Sequence, residues 1–196
     1  MNRCLILCVM FVFAIGCKSK KKKSDVPAAN FFVNDYLKGQ VARLDSVQGQ
    51  FLKIEMIDSR TDSATLTSTQ AKQYAGEFLN LPDISKEEVR DDYEVSHLYD
   101  DLQEAFIFTY QTKEEHPVRL QNVTVEPAMN EQGKNEIRSI YVDYWENRNK
   151  TLTRKKFLWE ANKSFEVITS IEVEGRPEKI KKLRVVWNGF DSLSTR

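Results

Sequence analysis

An α+β fold, with N-terminal helices packed on a curved antiparallel β-meander of about six strands, is what three features of this 196-residue sequence predict. Apolar residues recur at helical spacing through the first third of the chain. From Glu104 onward the period shortens to two, and β-branched and aromatic residues dominate. Short, turn-rich connections then separate the runs, as in strands that pair with their sequence neighbours.

The helical part begins at residue 30, where Phe32, Tyr36, Leu37, Val41, Leu44 and Val47 recur at threes and fours up to residue 47. In FLKIEMID, residues 51–58, Leu52, Ile54 and Met56 alternate with Phe51, Lys53 and Glu55. The polar SRTD then leads into SATLT, which predicts a hairpin. Thr67 followed by Gln70 reads as a capping box and opens a helix through Tyr74, Phe78 and Leu79 to Pro82. Ser85-Lys86-Glu87-Glu88 repeats that signal for a second, more polar helix running towards Leu102.

Six strand-like runs follow: AFIFTYQT, VRLQNVTVEP, IRSIYVDYWE, LTRKKFLWEA, SFEVITSIEVE and KIKKLRVVW. EEHP, NEQGKN, NRNK, NK and GRPE separate them. In the fifth run Phe165, Val167, Ile171 and Val173 alternate with Glu166, Ser170, Glu172 and Glu174. Lys182 and Arg184 in the last run are placed to meet those glutamates across a GRPE turn.

The N-terminus belongs to a different regime. After Met1-Asn2-Arg3, twelve residues from Cys4 to Ile15 contain no charge and no breaker, which is short of the roughly 20 needed to span a bilayer. Ala14-Ile15-Gly16-Cys17 ends the run with a small residue before a cysteine and resembles the lipobox of bacterial lipoproteins, with Ala14 where Leu is most common. The resemblance implies cleavage before Cys17, whose thiol receives a diacylglycerol and whose amine is acylated, palmitate being a usual chain. It also implies three segments: a signal peptide over 1–16, a lipidated Lys-rich tether over 17–29 and one globular domain over 30–196. Lys18 stands where an aspartate would retain such a lipoprotein in the inner membrane. Lysines also fill the place where cell-surface lipoproteins of one large Gram-negative group are acidic. The resemblance thus implies an outer-membrane protein, lipid-anchored and facing the periplasm.

The even balance of 29 basic and 29 acidic residues hides a segregation. Six of the basic residues and none of the acidic ones precede Asp25, leaving the remainder at a net of −6. Lys18 and Lys20–Lys23 lie beside the expected anchor, where anionic headgroups attract each lysine by on the order of 1 kcal/mol. Without interleaved aromatics, that basic run does not predict nucleic-acid binding.

Catalytic patterns are missing from the rest. All three cysteines precede residue 18, which excludes disulfides, thiolate metal sites and a cysteine nucleophile from the expected mature body. His97 and His116 are too few for a hydrolytic zinc site, and neither H-E-x-x-H nor G-x-S-x-G occurs. With seven glycines and no G-K-[ST], no phosphate loop is written in the chain. The pairs Asp91-Asp92, Asp100-Asp101 and Glu114-Glu115 read as solvated charges, and Asp58–Asp62 lacks the glycine and glutamate of a calcium loop. No metal and no cofactor is expected.

Aromatic residues carry the functional expectation. Tyr141 and Trp145 share one side of their strand, opposite Tyr144, so large residues occupy both faces. Tyr141, Tyr144, Trp145 and Trp159 are therefore the expected liners of a pocket between helices and sheet. Two readings stand side by side. One is a non-enzymatic envelope binding or assembly module that uses its sheet face or an edge strand to meet another protein. The other is a carrier of a small hydrophobic, sugar or peptide ligand. Asp45-Ser46-Val47, Asp62-Ser63-Ala64 and Asp191-Ser192-Leu193 also resemble the acceptor triplet of a bacterial periplasmic O-glycosylation system.

Overall fold

The computed structural model describes residues 31–127 and 135–188. Cys17, the tether and Ser192 lie outside them.

Alternating side chains and tight turns place nine strands in one antiparallel sheet. Eight come from the runs read as strands: β1 (Phe51–Ile57), β2 (Arg60–Leu66), β4 (Ala105–Thr112), β5 (Val118–Glu126), β6 (Glu136–Arg148), β7 (Thr151–Glu160), β8 (Ser164–Val173) and β9 (Lys179–Val186). With them is β3 (Tyr93–Asp100). Their order is β2-β1-β9-β8-β7-β6-β5-β4-β3. Consecutive strands pair from β3 to β9, and the hairpin β1–β2 then returns to the edge of β9. Asn149 and Lys150, both at positive φ, make the two-residue turn between β6 and β7, as a type I′ hairpin requires.

This architecture corrects the expected α+β fold of helices on a six-stranded meander. Among the described residues the fold is β-rich, with one nine-stranded sheet and three α-helices, α1 (Val33–Arg43), α2 (Ser68–Leu79) and α3 (Glu87–Arg90). Two differences account for it. The early hairpin joins the main sheet, with Lys53 opposite Val185 and Glu55 opposite Leu183. The helix expected from Ser85 towards Leu102 stops after four residues, and Tyr93–Asp100 is a strand. There the period-two series Tyr93, Val95, His97 and Tyr99 finds a full partner in β4, and pairing outweighs a local helix-start signal.

Both longer helices pack on the same face. Thr67 and Gln70 form the reciprocal capping box of α2, the Gln70 amide donating to Thr67 Oγ1 at 3.3 Å and the Thr67 amide to Gln70 Oε1 at 2.9 Å. The helix buries Ala71, Ala75 and Phe78, and α1 buries Val33, Leu37 and Val41. Phe78 meets Phe157, Trp159 and Phe165 edge-on at centroid distances of 5.2, 5.2 and 5.6 Å. Such pairs contribute about 0.5–1.5 kcal/mol each beyond burial.

On the opposite face Ile54, Leu158 and Tyr141 are half-buried among charges. The expected cross-strand pairing appears there, with Lys182 3.0 Å from Glu166. Arg184 lies 3.6 Å from Glu160, and Arg154 lies 3.3 Å from Glu172. Among the described residues no helix is long and apolar enough to cross a membrane.

Candidate functional site

The cavity that best combines enclosure, apolar walls and polar handles lies at the β3 end of the sheet, beneath the segment linking α2 to β3. Asn34 at the start of α1 donates through Nδ2 to the Leu81 carbonyl at 2.8 Å, which draws that segment over the covered face. The Asp83 carboxylate then accepts from the Ser85 amide at 3.0 Å and its hydroxyl at 2.6 Å, a local turn that lets Ile84 point inward. Below it, β3, β4 and β5 contribute Tyr93, Val95, Tyr110 and Gln121, while Phe31 and Phe32 add aromatic surface from the entry to α1. The cavity, partly open to solvent, has a volume of about 460 Å³. That falls within the roughly 300–1,000 Å³ typical of small-molecule sites.

Its walls are held from behind. The Tyr93 hydroxyl donates to the Val118 carbonyl at 2.9 Å, and burial pushes its pKa up to about 12. Burial likewise raises Tyr110, so both phenols stay neutral. His116 stacks on Tyr93 at 5.7 Å and holds its Nε2 2.7 Å from Asp92 Oδ2.

Gln121 is the distinctive polar group of the wall. Only 3% exposed, its side-chain amide has no hydrogen-bond partner among the described residues. The amide borders the cavity, so a ligand can offer it a hydrogen bond there, worth about 0.5–1.5 kcal/mol net. Lys113 stands at the mouth without an ion-pair partner among the described residues, and Arg90 Nε lies 3.6 Å from Asp91. The arrangement suits an apolar or aromatic group that ends in a hydrogen-bonding function.

The four aromatic residues expected to line a pocket do not converge. Trp159 is fully buried in the core, stacked 5.4 Å from Phe165. Tyr144 shares that face and borders a smaller recess of about 170 Å³ with Glu77, Lys155 and Phe157. Tyr141 and Trp145 lie on the opposite face, where burial raises the Tyr141 pKa. Trp145 donates to Asp143 at 2.9 Å and is flanked by the guanidinium groups of Arg119 and Arg154, 5.5 and 4.8 Å from its ring.

The remaining charged residues singled out in the sequence are dispersed. His97 stacks on Phe108 at 5.8 Å in β3. Asp100 ties its own turn by accepting from the amides of Gln103 and Leu102, and these bonds, the Gln103 amide first, hold its pKa below the usual range. Ser46 and Ser63 are exposed.

Gln121 escapes a sequence reading because it is polar, although its spacing from Val123 and Val125 marks the inner face. It alternates regularly with Val123 and Val125 opposite Tyr110 and so faces inward, and the bulge between Val118 and Leu120 brings Val118 to the same face. No protein-family model and no curated protein matches this chain.

Proposed function

We propose that this chain is a lipid-anchored, non-enzymatic binding module of the bacterial envelope, tethered through Cys17 at the periplasmic face of the outer membrane. Its ligand places an apolar or aromatic group in the cavity beside β3. One observation carries this reading: a partly open, largely apolar space of about 460 Å³ into whose wall the Gln121 amide, without a hydrogen-bond partner among the described residues, is built. The lipobox-like Ala14–Cys17 and the lysines after it support the tether.

The test uses the full lipidated chain in phosphatidylcholine nanodiscs, titrated with p-cresol, an apolar ring bearing one hydrogen-bonding hydroxyl. Saturable shifts of the Ile84 and Val95 methyl signals, with Ile168 and Ile171 on β8 unmoved, are expected. Shifts spread over all these methyls, or none at all, would overturn the pocket. For the tether, Cys17→Ala is expected to abolish palmitate labelling and membrane retention together.

A further inference from the structure

Beside the cavity runs a sheet edge whose chemistry matches one kind of ligand. β3 ends the sheet and has no neighbour on its far side among the described residues. The Lys113 amide donates to the Asp92 carbonyl at 2.9 Å, and this bond fixes the phase of the β3–β4 ladder. Residue pairs in an antiparallel ladder alternate between bonded and non-bonded. Asp92, Glu94, Ser96 and Leu98 therefore exchange bonds with β4, and Tyr93, Val95, His97 and Tyr99 turn their N–H and C=O groups to the free edge.

The same four residues carry their side chains on the helix-covered face. Tyr93 and Val95 line the cavity, His97 stacks on Phe108, and Tyr99 meets Phe106 edge-on at 5.0 Å. Whatever bonds to the backbone of Val95 and His97 in strand register thus sets its own side chains beside Val95, at the cavity. Val95, Leu98 and Tyr99 are 46%, 53% and 42% exposed, on a strand with no lysine, arginine, proline or bulge to keep another strand away. The charge at this edge is acidic, from the exposed Glu94 and Asp101.

Resting on the pocket reading above, we infer that the ligand is an extended peptide segment of another protein. It adds antiparallel to β3 as a tenth strand, with alternate apolar side chains facing the cavity and cations on the other side towards Glu94. Backbone bonds to Val95 and His97 supply register, and the cavity selects one apolar side chain. Free small molecules would use the cavity alone and leave the edge unchanged.

The probe is fluorescein-labelled Lys-Val-Lys-Val-Lys-Phe, amidated at its C-terminus, measured by anisotropy against the full chain in phosphatidylcholine nanodiscs. Saturable binding is expected, weakened at least tenfold when both valine amides are N-methylated, a change that keeps every side chain. His97→Pro removes only an edge-facing N–H and is expected to cause the same loss while p-cresol still shifts Ile84 and Val95. Equal binding of the methylated and unmethylated peptides, or full binding by His97→Pro, would overturn strand addition. Absence of peptide binding would overturn it as well, and p-cresol shifts retained in that case would leave the pocket standing. Loss of both signals would remove the pocket and the strand together.

Discussion

The two ends of the sheet are built differently. β2 presents Arg60, Thr61, Asp62, Ser63 and Thr65 to solvent, small or charged groups that give an incoming strand little apolar surface to cover. β3 presents Val95, Leu98 and Tyr99, and it borders a cavity of about 460 Å³. Both edges carry the same unpaired backbone groups, so the difference lies in side chains alone. Protected edges commonly display charge, as β2 does. An edge that carries exposed apolar groups and no lysine or arginine beside a cavity is suited to receive a strand.

The largest expected effect tests the phase of β3. Ser96→Pro removes an N–H that bonds to β4 and leaves a carbonyl orphaned, so it is expected to lower stability by about 1–3 kcal/mol in urea denaturation. His97→Pro, one residue on, removes only an edge-facing N–H and is expected to cost less than Ser96→Pro. Equal losses would contradict the assigned phase.

Next comes the cavity wall. Gln121→Leu exchanges a cavity-wall amide without a hydrogen-bond partner among the described residues for an apolar group of similar size and is expected to raise stability by up to about 1 kcal/mol. The same variant should bind p-cresol more weakly, because the hydroxyl loses its partner. A destabilised variant would show that the amide already has a partner.

The charged end of the sheet is open to pH. Glu55 on β1 lies 2.6 Å from Lys181 and 3.0 Å from Lys53, and hydrogen bonds to these two, Lys181 first, hold its pKa below the ordinary 4.5. A depressed folded-state pKa gives stability that is complete above 4.5 and is lost as pH falls through the folded value. Thermal unfolding followed downward from pH 4.5 should therefore depend less on pH in Glu55→Gln than in the parent chain.

The smallest expected change in stability accompanies the most direct swap of edge character. Arg60→Val combined with Asp62→Val should leave stability within about 0.5 kcal/mol, since both sites are exposed, yet give β2 an apolar edge. Sedimentation is expected to show new self-association. A strictly monomeric double variant would mean that side-chain charge does not protect β2.

Individual elements were legible where local and tertiary signals agree, whereas the fold class was not. The capping box at Thr67 and Gln70 and the alternation of Phe165 with Glu166 each name their element without help from elsewhere. β3 was misread because Ser85–Glu88 starts a helix locally, whereas the strand after it depends on pairing with β4, from Asp100 opposite Ala105 out to Tyr93 opposite Thr112. The candidate site was scarcely legible. Ile84, Val95 and Gln121 come from three separate segments, and Gln121 is a polar residue on a core-facing position in phase with Val123 and Val125. The aromatic residues of β6 and β7 drew attention by size, yet alternation divides Tyr141 and Trp145 from Tyr144 and Trp159, and Trp159 belongs to the core.

Amide-resolved hydrogen exchange along β3, with and without the Lys-Val-Lys-Val-Lys-Phe peptide, tests the central claim most directly. In the free chain Glu94, Ser96 and Leu98 should be protected while Val95, His97 and Tyr99 exchange quickly, and the peptide should slow Val95 and His97 selectively. Uniform protection of β3 before the peptide is added, or unchanged exchange at Val95 and His97 after it, would contradict the account.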